Sequence, residues 1–177
     1  MPAISRRLAI GGACASALGV TPAHASDFQF DPTGSWIREV PDSTWAKHEG
    51  PFTEEFFKDF KTTDTGFAYK FLQQGEGDKP IKGQAVLVHY TGYLPSGKKF
   101  DSSYDREQPF KFTLGSGKVI PGWEAIVSGM NKGKRVVVKI PPQYAYGDKG
   151  AGNKIPPNSD LIFYMELYRL FPVESAD

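Results

Sequence analysis

Two strand patterns joined by a short polar segment fill Val86 to Leu114, and this stretch constrains the chain more than any other. In the first, Val86, Val88 and Tyr90 alternate with Leu87, His89 and Thr91; in the second, Phe110, Phe112 and Leu114 alternate with Lys111 and Thr113. Period-two alternation of β-branched and aromatic residues predicts strands with one packed face. Between them, Pro95-Ser96-Gly97 supplies turn chemistry, and Phe100 and Asp101 sit in what reads as a loop. A large ring beside an acid in a loop needs a reason. The stretch reads as the wall of an aromatic pocket.

The rest of the composition narrows the function classes. The chain has 177 residues and a formal net charge of +1, which fits one domain with extensions and gives no electrostatic ground for a nucleic-acid partner. Hydrophobic residues make up 40% of the chain, enough for a core, and aromatics at 14% exceed what a small core needs. The single cysteine, Cys14, lies near the N-terminus. Cysteine catalysis and a cysteine metal site are therefore not expected in a processed form.

Residues 1–25 read as an export signal. Arg6 and Arg7 precede a weakly apolar run from Leu8 to Val20, and Ala23-His24-Ala25 offers an A-x-A cleavage site. Ser5-Arg6-Arg7-Leu8 resembles the twin-arginine signals of bacteria and of thylakoid import. The run is too short and too rich in Gly and Ala to span a membrane permanently, and no other apolar segment is long enough. The expectation is a soluble exported protein without a transmembrane segment in its mature form, in the thylakoid lumen or the bacterial periplasm.

Residues 26–64 read as an N-terminal aromatic arm with Trp36, Trp45, Phe52, Phe56, Phe57 and Phe60. Thr53-Glu54-Glu55 predicts a short helix with Thr53 as N-cap and two acids in the first turn. So many rings need cover, either on the chain's own domain or on a protein partner. No pocket motif lies in the arm, so its removal is expected to leave catalysis largely intact.

Residues 65–171 read as one α+β domain, followed by a tail at 172–177. Phe67, Tyr69 and Phe71 share one side of a strand, as do Val136, Val138 and Ile140. Leu161, Phe163, Met165 and Leu167 mark the last strand. Pro121 suits the first turn of a helix, with Trp123, Ile126, Val127 and Met130 at helical spacing and Gly129 near its end. The sum is about five antiparallel strands around one short helix.

Six motifs then occur in order: Val88-His89-Tyr90-Thr91-Gly92, Gly97 to Ser103, Pro109 to Phe112, Val119-Ile120-Pro121-Gly122-Trp123, Tyr144-Ala145-Tyr146-Gly147 and Ile155-Pro156-Pro157. Together they resemble the FKBP-type peptidyl-prolyl cis-trans isomerases, whose fold is a bent antiparallel β-sheet wrapped around one short α-helix. The resemblance implies a prolyl pocket with Trp123 as floor and Tyr90, Phe110, Val119, Ile120 and Phe163 as walls. It puts Phe100 and Asp101 at one rim, steadied by Arg106, and Tyr146 and Ile155 at the other. It implies Asp101, Tyr146, Ile120 and Phe100 as the catalytic group, no cofactor and no metal, proline-containing polypeptides as substrates, and binding of macrolide immunosuppressants. Lys118, Ala151 and Lys154 depart from better-known members, which bears on substrate preference and drug affinity.

The chemistry such a pocket performs needs no nucleophile. A prolyl bond rotates over a barrier of about 18–20 kcal/mol because the amide has partial double-bond character. An apolar cup that excludes water favours the twisted amide over the planar, polar one. The Tyr146 hydroxyl and the Ile120 N–H are the donors the resemblance implies for the flanking carbonyls. Other chemistries find little support: Ser102 and Ser103 have no base at a recognisable spacing, Asp101 lacks partners for a metal, and His89 reads as a surface or strand-edge residue. The expected function is isomerisation of X-Pro bonds in exported proteins. The alternative is a non-catalytic chaperone of the same fold, or an accessory subunit of a membrane complex, docking through the arm.

Overall fold

The computed structural model describes residues 42–173, together with the short strands at Gln29–Phe30 and Trp36–Ile37. Residues 1–25, expected to be an export signal, and the last residues of the tail lie outside the described residues, as does the side chain of Trp36. The chain divides into two compact units, Met1–Glu39 and Val40–Asp177. In the first, β1 (Gln29–Phe30) and β2 (Trp36–Ile37) pair antiparallel.

The second unit is built on one antiparallel sheet. Its strands are β3 (Lys61–Thr62), β4 (Ala68–Gln73), β5 (Ala85–Tyr93), β6 (Lys99–Ser102), β7 (Phe110–Thr113), β8 (Arg135–Ile140) and β9 (Leu161–Leu170). The spatial order is β3-β4-β8-β9-β5-β6, with β7 also on β5. Strand β5 is the hub. One of its edges pairs with β9 along its length, while the other takes β7 at Ala85–Val88 and β6 at Thr91–Tyr93. Two of these seven strands, β3 and β6, are absent from the sequence expectation. Phe100 and Asp101 therefore sit on a strand rather than in a loop.

Helix α1 (Glu54–Phe57) lies in the arm and α2 (Pro121–Val127) crosses one face of the sheet. Proline fits the first turn of α2 because its missing N–H would have no helical acceptor there. The helix ends at Val127, with the Gly129 N–H returning to the Ile126 carbonyl at 3.0 Å. Its Trp123 and Val127, with Met130 just beyond, meet Val86, Val88, Val136, Val138, Leu161, Phe163, Met165 and Leu167 in the main core. Each such aliphatic or aromatic side chain, taken wholly out of water, stabilises the fold by about 1.5–3 kcal/mol.

The opposite face is packed as well, against the expectation of one packed face. Tyr93, Val137, Ile162 and Tyr164 are buried there beneath Ala46 and the rings of Trp45, Phe52, Phe56, Phe57 and Phe60. The second half of the arm thus lies on the chain's own sheet. Thr53 caps α1, its hydroxyl accepting the Phe56 N–H at 3.4 Å. Trp45 lies edge-on to Tyr104 and Tyr164, both at 6.2 Å, and Arg135 sits 4.8 Å over its indole while pairing with Glu166 at 3.1 Å. Among the described residues, no helix is long and apolar enough to cross a membrane.

Candidate active site

Where β5, β6, β7, β9 and the start of α2 converge, a cavity of about 390 Å³ opens to the surface. Its lining contains Tyr90, Phe100, Asp101, Phe110, Val119, Ile120, Trp123, Tyr146 and Phe163, all expected from the sequence, and also Gly117 and Lys118, which were not.

The floor is Trp123. It is 5% exposed and meets Tyr90 at 4.7 Å, Phe163 at 5.4 Å and Phe110 at 5.8 Å, each edge to face. These arrangements set the positive ring edges against the negative indole face or the reverse, and they fix the walls. Gly92 makes the wall possible. A Cβ there would stand 2.5 Å from the Phe100 ring and 2.8 Å from the Phe163 ring, so any side chain would push both out of place.

At the rim, three polar groups close on one another. The Tyr90 hydroxyl and the Arg106 guanidinium each donate to the Asp101 carboxylate, Arg106 Nη2 also donates to the Tyr90 oxygen at 2.9 Å, and the Ser102 N–H donates to Asp101 Oδ1 at 2.9 Å. Burial pushes the Asp101 carboxyl up, but the donors Tyr90, Arg106 and Ser102 outweigh it and hold it below the usual carboxylate range. Burial, reinforced by the hydrogen bond to Asp101, pushes the Tyr90 phenol up to about 12. The acid is ionised and fully engaged. It is poorly placed to act as a base.

Tyr146, at the other rim, is 43% exposed, and burial of its ring with the nearby Asp101 charge raises its phenol. Its hydroxyl and the Ile120 N–H find no hydrogen-bond partner among the described residues. Two donors thus remain free for a ligand. Ile155, expected at this rim, is 6% exposed and bridged to Ala151, and is not among the residues that line the cavity. Arg106 does not line the cavity but contacts Asp101 and Tyr90, which do.

His89 alternates away from the Val86, Val88 and Tyr90 face as expected, but it is not the surface or strand-edge residue the sequence suggested. It is fully buried, stacked on Tyr104 at 4.6 Å, with Nδ1 3.0 Å from the Ser103 hydroxyl. It faces away from the cavity because β5 alternates its side chains, and it is buried because that second face is covered. Among the described residues, no group of three or more His, Cys, Asp or Glu could hold a metal ion.

The site is thus an aromatic cup with two unpartnered donors at its mouth and one acid held by Tyr90, Arg106 and Ser102. A profile of the FKBP-type peptidyl-prolyl cis-trans isomerase family matches residues 76–168, more than half of the chain. The chain is 48% identical over 100 residues to an FK506-binding protein of Neisseria meningitidis, which covers 56% of this chain and 92% of that protein. It is 50% identical over 100 residues to the peptidyl-prolyl cis-trans isomerase Fkbp12 of Drosophila melanogaster, covering 56% and 93% respectively. The crystal structure of AtFKBP13 superposes with a TM-score of 0.60 at 40% identity, over 63% of this chain and 98% of that one. The chain belongs to the FKBP-type peptidyl-prolyl cis-trans isomerases and is an enzyme of that activity.

Proposed function

We propose that the cavity over Trp123 receives the proline ring of an exported polypeptide and lowers the barrier to rotation about the preceding amide. The observation that carries this reading is an apolar cup whose only carboxylate is bound by Tyr90 and Arg106. Such a cup excludes water, which otherwise favours the planar amide. Ring edges of Tyr90, Phe110 and Phe163 hold the proline against the indole. Phe100 and Asp101 face the carbonyl as it turns, while the Tyr146 hydroxyl and the Ile120 N–H hold the carbonyls on either side. Each 1.36 kcal/mol by which these contacts favour the twisted form over the planar one is worth about tenfold in rate.

The export address rests on Arg6-Arg7, the weak apolar run and Ala23-His24-Ala25, which support passage of the protein into a periplasm or a thylakoid lumen. The name of the Neisseria relative supports a second occupant for the same cup, a macrolide of the FK506 type. The alternative of a docking module is less favoured, because the rings between Trp45 and Phe60 lie on this chain's own sheet.

The test is a cis-trans exchange assay on a short proline peptide. Turnover that an FK506-type macrolide abolishes supports the reading. A folded protein that leaves the uncatalysed exchange rate unchanged contradicts it.

A further inference from the structure

Strand β6 is an edge strand whose backbone pairs with β5 only at Thr91–Ser102, Gly92–Asp101 and Tyr93–Lys99, with an irregularity among them, while side-chain bonds such as Tyr90 to Asp101 lie toward its far end. A strand so briefly paired opens easily at its turn end. Yet it carries Phe100 and Asp101. The turn itself closes by local bonds, Gly97 N–H to the Leu94 carbonyl and Leu94 N–H to the Lys98 carbonyl, both at 2.9 Å.

A second set of contacts reaches the same turn from the arm. The Phe52 N–H donates to the Pro95 carbonyl at 2.9 Å. The Tyr93 hydroxyl donates to the Ala46 carbonyl at 2.9 Å and accepts the His48 N–H at 3.1 Å. The His48 ring stacks on Phe52 at 3.7 Å, and Phe52 meets Tyr93 edge-on at 5.8 Å. At Gly97, where φ is +82°, the Gly50 carbonyl oxygen fills the space a Cβ would need. The missing Cβ at Gly97 therefore lets the backbones of arm and turn touch. None of these contacts is required to close the turn.

We propose that the segment 46–52 is a positioning element for the active site, clasping the β5–β6 turn so that Phe100 and Asp101 stand at the pocket rim. Tyr93, Phe52 and Gly97 are its positioning residues. The distance along the chain is short, since Lys99 and Phe100 follow Gly97 almost at once. A tether on the turn therefore limits how far the rim can swing. Small misplacements of groups around a reacting amide are enough to slow it. The inference rests on the function proposed above.

The test compares three variants of the full chain. Tyr93→Phe removes the hydroxyl that holds Ala46 and His48, and Gly97→Ala drives a methyl into the Gly50 carbonyl. Phe60→Ala is the control, because its ring contacts are to Phe56 and Phe57 and it loosens the same aromatic layer without touching the turn. Two quantities are read: kcat/KM on a proline peptide, and amide exchange at Lys99–Ser102 relative to Val136–Val138 in central strand β8. Loss of two hydrogen bonds in Tyr93→Phe is expected to lower kcat/KM about five- to tenfold and to speed exchange at Lys99–Ser102 by a similar factor. Gly97→Ala should act in the same direction, and Phe60→Ala should leave both readouts within about twofold whatever its melting temperature. Because Gly97→Ala also strains the backbone, Tyr93→Phe decides. Unchanged exchange at Lys99–Ser102 in that variant, or losses that follow melting temperature equally in all three, would overturn the proposal. If the parent chain turned over no proline peptide, the proposed function would fail, and the exchange contrast alone would still decide the clasp.

Discussion

Phe100 and Asp101 are chain neighbours on a strand, yet both line the same cavity. Neighbouring strand residues point to opposite faces unless something intervenes. Here the register does: Gly92 pairs with Asp101 and Tyr93 with Lys99, so Phe100 is an extra residue without a partner, a β-bulge. Bulges commonly re-aim a side chain beside an active site. This one brings a ring and a carboxylate together at the rim.

Gly92 stands opposite the bulge and leaves the room both rings use. Gly92→Ala should therefore fold, at a cost of about 1–3 kcal/mol from overpacking, while displacing Phe100 and Phe163. At least a tenfold fall in kcat/KM is expected beside a modest fall in melting temperature. A variant with full activity would show that the ring positions matter little.

The Tyr146 hydroxyl is a free donor on a half-exposed ring. Tyr146→Phe removes one hydrogen bond worth about 0.5–1.5 kcal/mol, so kcat/KM should fall by about tenfold at most. Peptide exchange measured by NMR reads this directly. A thousandfold loss would mean that the phenol does more than hold a carbonyl.

His48 links pH to stability. Burial lowers its pKa, and the backbone carbonyls of Gly50 and Pro51 offset only part of the effect. The folded protein then binds fewer protons than the unfolded chain as pH falls below about 6.5, the ordinary histidine value. Stability from this group is complete above that pH and declines toward the lower folded pKa. Urea midpoints should fall between about pH 7 and 5, and His48→Phe should remove part of that slope. An identical slope in the variant would clear His48 of the effect.

Lys118 lines the cavity, and no ion pair engages it among the described residues, whereas Asp101 is neutralised by Arg106. Peptides with an acidic residue beside the X-Pro pair should be turned over faster than basic ones by about two- to fivefold at low salt. Lys118→Gln or high salt should erase the difference.

Much of this site was legible in the sequence, and the reasons are physical. The pocket rings stand on alternating strands or at helical spacing, so Tyr90, Phe110, Trp123 and Phe163 could be read as one packed set, and the ordered motifs pointed to their shared use. The bulge at Phe100 could not be read, because one unpaired residue leaves no periodic trace, and the segment passed for a loop. His89 was misjudged because its burial depends on Tyr104 and on cover brought from far away in the chain. Ile155 is bridged to Ala151 by a local pairing that composition does not reveal. The contact between Gly50 and Gly97 is likewise tertiary. It links an arm that looked separable to the rim of the site.

Catalysis without proton transfer makes a definite demand on how kcat/KM depends on pH. Asp101 is held below the usual carboxylate range, Tyr90 is pushed up to about 12, and His89 faces away from the cavity. No group lining the cup should therefore change its charge where a histidine base would titrate, between about pH 6 and 8. The profile should be nearly flat across that window. A bell-shaped profile, or a single inflection there that survives His48→Phe, would contradict it.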